Sequence, residues 1–195
     1  MKGIIEKAFT ASVKVKEAFV RENFSNLILL AERIAEAFTS DRKLLLCGNG
    51  GSAAEAQHIA AEFVNRYTLD RPPLPAMALT ADTSVITSVG HDYSFDDIFS
   101  KQVKALGVEG DVLLVLSISG DSKNLLSAVN DARSLMIYTV GLVGNGGGKL
   151  AGLVDLALVS QSNETPRVEE AHTLAGHVLC DLVDHLIFQR HLSEE

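Results

Sequence analysis

His58 and Glu62 stand four residues apart in "GGSAAEAQHIAAEF", so on a helix both project from one face, about 6 Å apart along the axis. An imidazole and a carboxylate at that spacing suit a shared metal ion, or a carboxylate that orients an imidazole for proton transfer. They equally suit an ordinary i,i+4 surface pair. The small neighbours Ala53, Ala54, Ala56, Ala60 and Ala61 would let a ligand or another backbone approach closely. A second group of such residues lies in "TPRVEEAHTLAGHVLCDLVD", where Glu169, His172 and His177 interrupt a helix that is otherwise largely apolar. Glu169 and His177 are two turns apart, about 12 Å by helix rise. They would meet at one site only with extended side chains, or by serving it from different subunits; a satisfied core histidine is the plain alternative.

Two glycine-bearing stretches suit anions. In "SISGDS" (117–122), Ser117, Ser119 and Ser122 surround Gly120 between an apolar run and a helical pattern. Three hydroxyls and free N–H groups at a helix start match the several acceptor oxygens of a phosphate monoester. The competing role is helix capping by Ser119 or Asp121, for which one side chain would suffice. In "GNGGS" (48–52), the N–H groups of Asn49, Gly50, Gly51 and Ser52 open a helix whose dipole favours negative charge. Gly48-x-Gly50-x-x-Ala53 satisfies the loose dinucleotide fingerprint, but the acidic residue expected about 20 residues on is Asp82, some thirty past Gly50. A nicotinamide or flavin is therefore not expected. "GNGGGKL" fails as a P-loop, because Val143 stands at the first required glycine and Leu150 replaces the Ser or Thr. It is expected to be a flexible turn.

The elements that must position these residues are legible as alternation. "KLLLCG" (43–48), "PAMALT" (75–80), "DVLLVLSIS" (111–119), "YTVGLVG" (138–144) and "VDLALVS" (154–160) are short apolar runs bounded by turn residues. Helical patterns separate them at about 52–66, 84–90, 95–106, 122–135 and, weakly, 147–152, and a last one runs from about 166 to 190. Such alternation predicts an α/β fold: a three-layer α/β/α sandwich around a five-stranded parallel sheet, with strands buried on both faces. Ligands bind such sheets beyond the carboxyl ends of the strands, where all three glycine loops lie. Residues 4–21 and 24–39 read as two amphipathic helices, and this N-terminal pair (1–40) serves either to cover the sheet or to pack against another subunit. With no linker or repeat, residues 1–195 form one domain.

Composition narrows the function. The net charge is −8 and no basic run occurs, which argues against a broad nucleic-acid surface. No apolar window is long enough for a membrane span, and "MKGIIEKAFTASVKVKEAF" breaks its apolar residues with Lys and Glu at helical spacing. Cys47 and Cys180 lack any metal-knuckle spacing and are expected to be buried thiols in a reducing compartment. A cytoplasmic protein is the expectation.

These stretches, with "RPPLPAMAL", "DDIFSKQV" and "GDVLLVLSISGDS", resemble the phosphoheptose isomerases of the sugar isomerase (SIS) superfamily, in order along essentially the whole chain. The resemblance implies a SIS-domain, flavodoxin-like sandwich and a cytoplasmic homotetramer with sites between subunits. It implies conversion of D-sedoheptulose 7-phosphate to D-glycero-D-manno-heptose 7-phosphate, on the route to heptose nucleotides and lipopolysaccharide core. It further implies one zinc ion per subunit on His58, Glu62, Glu169 and His177, with Glu62 as base and His177 as its acid partner. Substrate would contact Asn49, Gly50, Gly51, Ser52, Glu62, Asp92, Ser117, Ser119, Ser122 and Glu169. This chain departs from the family pattern in carrying Glu169 for Gln, Ile118 for Thr, Asp121 for Asn, and His91 before Asp92. A related fold in the DnaA initiator-associating protein offers a non-catalytic alternative, a tetramer that binds the replication initiator. A phosphosugar sensor is another. The initiator-associating relative lacks the acid at the Glu62 position and the histidine at the His177 position, and this chain has both.

Overall fold

A computed structural model describes residues 1–189. The five apolar runs form strands β1 (Leu44–Gly48), β2 (Ala76–Ala78), β3 (Val112–Ser117), β4 (Tyr138–Val143) and β5 (Leu156–Val159). All four pairings are parallel, and the strand order is β2-β1-β3-β4-β5. Every residue of β1 and β3 is buried, because helices cover both faces and neither face needs polar side chains.

Successive side chains along a strand point to opposite faces, and that alternation divides the core in two. Leu44, Leu46, Leu114 and Leu116 face α1 (Lys2–Thr39), α2 (Gly51–Val64) and α7 (Thr165–Asp184). Leu45, Cys47, Leu113 and Val115 face α4 (Ile98–Leu106), α5 (Lys123–Ser134) and the short α6 (Gly148–Ala151). Between β2 and α4 runs α3 (Thr83–Asp92), whose N-terminus is capped by Asp82 accepting from the Val85 N–H at 3.0 Å. The carboxylate that fits the dinucleotide pattern poorly is thus a helix cap.

The N-terminal segment departs from expectation, since the two helices are one 38-residue helix, α1. The break expected near Asn23 does not form, because its amide is fully used without bending the helix. Its nitrogen donates to the Phe19 carbonyl at 2.8 Å and the Val159 carbonyl at 3.1 Å, and its oxygen accepts from the Val159 N–H at 3.1 Å. Asn26 donates to the Ala157 carbonyl at 3.2 Å. The two amides occupy the free edge of β5, which would otherwise offer unpaired backbone groups. The final helix ends at Asp184 and continues as a π turn over His185–Gln189; the last residue of its expected range, 190, lies outside the described residues.

The chain leaves β1 toward β2 on one side, while β3 lies on the other. That divergence opens a crevice at the carboxyl ends of β1 and β3, where the loops at 48–52 and 117–122 begin.

Candidate active site

Gly48 ends β1 where the start of α2 folds directly over it, and a Cβ there would lie 2.7 Å from the Ser52 carbonyl. The Asn49 side chain is not free: it exchanges two amide hydrogen bonds with Asn124, at 3.0 and 2.8 Å. Asn124, on the first turn of α5 and 2% exposed, is a residue the sequence reading missed. Its signal was faint, a polar side chain at a position where helical spacing asks for core. The pair locks the first loop to the second.

In that second loop, Ser117 Oγ accepts from the Gly120 N–H at 3.0 Å and Ser119 Oγ from the Asp121 N–H at 3.2 Å. Ser122 is the N-cap residue of α5, yet no side chain caps the helix. The capping alternative therefore fails, and the hydroxyl protons and first N–H groups of α5 stay available to a ligand. A cavity of about 200 Å³ lies here, lined by Asn49, Ser52, Ser117, Ile118, Ser119 and Ser122 among others. Two helix N-termini and four hydroxyls around one cavity form an anion site that needs no lysine or arginine.

Asp121 points away from this cavity. Its carboxylate accepts from the Lys149 N–H at 3.2 Å, and the Leu150 N–H donates to the Gly120 carbonyl at 2.9 Å. Gly120 has φ +71°, and a Cβ there would lie 2.0 Å from the Gly147 carbonyl. The third glycine loop, expected as a flexible turn, is thus the buttress that holds the serine loop in shape.

The remaining residues come from α2 and α7, which pack in register. Thr173 donates to Glu55 Oε2 at 2.8 Å, and Ile59 packs over Gly176 so closely that a Cβ there would lie 2.7 Å from its Cγ1. His58 Nε2 and His177 Nε2 are 2.9 Å apart, with their rings edge to face. Tyr67, also missed from sequence, stacks on His177 at 5.2 Å between centroids. Glu62 Oε1 lies 3.7 Å from His58 Nδ1. His58, Glu62 and His177 are therefore brought together across 119 residues of chain.

Two expected partners sit elsewhere. Glu169 lies at the other end of the α2–α7 contact, its carboxylate against Gly51, where a Cβ would be 2.5 Å from Oε1. The register of the two helices places it there, level with the loop and two turns from His177. Asp92 is exposed at the end of α3, paired with His91 Nδ1 at 2.9 Å, and lines neither the serine cavity nor the histidine pair within this chain. For a metal, the donor types suit zinc, and the two Nε2 atoms converge. Among the described residues, however, no three His, Cys, Asp or Glu side chains group closely enough as they stand to hold an ion.

Burial also sets the state of groups beside the site. His172 on α7 is 1% exposed, and burial pushes its imidazole down to about 4, against the pull of a hydrogen bond to the Val143 carbonyl. Cys47 and Cys180 are both buried, as expected, and burial raises both thiols, Cys180 to about 12.

Comparison with known proteins gives a consistent result. Residues 9–144 match the SIS domain family. The chain is 49% identical over 190 residues to the phosphoheptose isomerase of Nitratidesulfovibrio vulgaris, covering 97% of this chain and 91% of that protein. It is 44% identical to the phosphoheptose isomerase of Clostridium acetobutylicum, over the full length of both. The solved structure of phosphoheptose isomerase GmhA from Neisseria gonorrhoeae superposes with a TM-score of 0.89 at 39% identity, covering 94% of this chain and 98% of that one.

Proposed function

The chain belongs to the SIS-domain family and, within it, to the phosphoheptose isomerases, and from that premise we propose how it isomerises D-sedoheptulose 7-phosphate to D-glycero-D-manno-heptose 7-phosphate. The observation that carries the reading is the meeting of Glu62, His58 and His177 beside an uncapped, serine-lined helix start. The serine cavity would hold the phosphate, its hydroxyls and helix N–H groups donating to the phosphate oxygens without a cation. Moving a carbonyl between C2 and C1 requires a base for a carbon-bound proton and an acid for the carbonyl oxygen, through an enediol. Glu62 would take the proton, and His177, held by Tyr67 and His58, would serve the oxygen. The initiator-binding and sensor alternatives draw no support from these relatives, and neither needs this acid–base pair.

Zinc would be held by His58, Glu62 and His177, with Glu169, two turns from His177 in this chain, serving the site of a neighbouring subunit. When bound, it would polarise the substrate's carbonyl oxygen. Within the wider reading the enzyme is a cytoplasmic homotetramer that supplies heptose nucleotides for lipopolysaccharide core. The acidic balance accords with that, and among the described residues no helix is long and apolar enough to cross a membrane. Ile118 lining the serine cavity makes substrate range worth measuring across several ketose phosphates.

The test is turnover of sedoheptulose 7-phosphate by purified protein, with metal analysis of the same sample. Glu62→Gln and His177→Gln are each expected to lower kcat by roughly 100-fold or more while mass and melting temperature stay unchanged. Undiminished turnover in both variants would refute the assigned roles.

A further inference from the structure

A second cavity, of about 220 Å³, lies between the serine cavity and the histidine pair. It is bounded by Ser52 and Glu55 of α2, Leu116 of β3, and Glu169, His172 and Thr173 of α7. It shares Ser52 and Leu116 with the serine cavity, so the two adjoin. Their chemistry is opposite. Against the donors of the serine cavity stands a carboxylate acceptor, Glu55 Oε1, buried without a partner, and beside it His172 Nε2 is likewise buried without one. His172 Nε2 is open on this side, and in either tautomer of the neutral ring it pairs with a hydroxyl, which both donates and accepts. Glu55 is held in place by Thr173 on its other oxygen.

Buried acceptors without partners are costly, so a cavity built from them is matched to hydrogen-bond donors. Two carboxylates repel a phosphate, and these side chains do not group closely enough to hold a metal ion. Hydroxyl groups fit. Along α2, Ser52, Glu55 and His58 are spaced three residues apart, about 4.5 Å per step. Glu55 is therefore midway between the phosphate loop and the reacting centre.

We propose that Glu55 and His172 form a hydroxyl-reading subsite, Glu55 accepting from and His172 pairing with the secondary hydroxyls of the sugar chain between its phosphate and its reacting carbons. The inference rests on the isomerase reading for the direction in which the sugar lies. It makes the pair specificity determinants: between phosphate and carbonyl a seven-carbon ketose brings four secondary hydroxyls to this cavity, where a five-carbon ketose anchored by the same phosphate brings two. It also fixes orientation, since the phosphate is accepted at one end and rejected at the other.

The test is calorimetric binding of D-sedoheptulose 7-phosphate, D-ribulose 5-phosphate and inorganic phosphate to the wild type, Glu55→Gln and His172→Gln. The expected result is that the heptulose phosphate loses roughly tenfold or more in affinity in each variant. Inorganic phosphate should change less than about twofold, the range within which an untouched contact varies, and ribulose 5-phosphate should lose less than the heptulose phosphate. Equal losses for all three ligands would show a merely structural role and overturn the proposal. So would unchanged heptulose binding, or a wild type that binds the heptulose phosphate no better than inorganic phosphate. If His172→Gln fails to fold, Glu55→Gln decides. Turnover by the wild type is scored separately: binding with the expected pattern but no isomerisation would refute the isomerase reading and leave the subsite standing.

Discussion

At the scale of single residues, burial and pairing decide which histidine does what. His58 is partly exposed and shares a hydrogen bond with His177. His172, five residues before His177, is enclosed and neutral. An unfolded chain protonates this histidine as pH falls through about 6.5, whereas the native protein does so only near 4. Over that window the unfolded state binds more protons, so His172 lowers stability as pH falls. Between pH 7.5 and 5 the loss is expected to be roughly 2 kcal/mol. Urea unfolding of the wild type and of His172→Gln at both pH values checks it, the variant lacking that part of the pH slope. Equal slopes would mean that His172 already titrates normally in the folded chain.

At the scale of elements, catalysis depends on the register between α2 and α7, and one buried arginine secures it. Arg71 Nε donates to Asp184 on α7 at 2.7 Å, while its terminal nitrogens donate to the carbonyls of Phe63 at 2.7 Å and Glu62 at 3.1 Å. The end of α2 that carries Glu62 is thereby tied to the helix that carries His177. Arg71→Met would leave the Asp184 carboxylate buried without its partner, and is expected to cost about 3–5 kcal/mol in unfolding experiments. Arg71→Lys keeps the charge but not the three-way geometry. It should retain more stability than Arg71→Met yet still lower kcat, a split that a purely structural ion pair would not show. This register is also why part of the site was illegible in the sequence. The apolar runs, the serine loop and the His58–Glu62 spacing are local patterns, and all were readable. Which residue of α7 faces which residue of α2 is set by Gly176 letting Ile59 in, a packing fact with no local signature. Hence the sequence left open how Glu169 and His177 relate, the chain sets Glu169 against Gly51, and Glu55, Thr173 and Tyr67 were overlooked. The break expected between residues 21 and 24 fails for a similar reason: Asn23 finds its partners on the edge of β5, which no local pattern shows.

At the scale of the whole molecule, α1 is longer than the fold it covers. Its fully buried residues begin only at Phe19, though Arg167 of α7 already donates to the Ala8 carbonyl at 3.0 Å, and beyond Phe19 it closes the β5 edge. The first half instead presents Ile5, Phe9 and Val13 at four-residue spacing, exposed by 59%, 72% and 54%. Residues four apart share one helix face, so the three form a single apolar stripe. Single exposed apolar side chains are common, but a continuous stripe on a projecting helix marks a surface that is covered in the assembled protein. The stripe supports the proposed homotetramer and separates assembly from folding, because none of its residues contributes to either core. Replacing Ile5 and Phe9 together with Glu is therefore expected to lower the mass seen by light scattering, while the melting transition of the remaining species persists. If active sites lie between subunits, turnover falls in step with dissociation and recovers as protein concentration rises. A variant that keeps the wild-type mass would show that subunits meet elsewhere on the molecule.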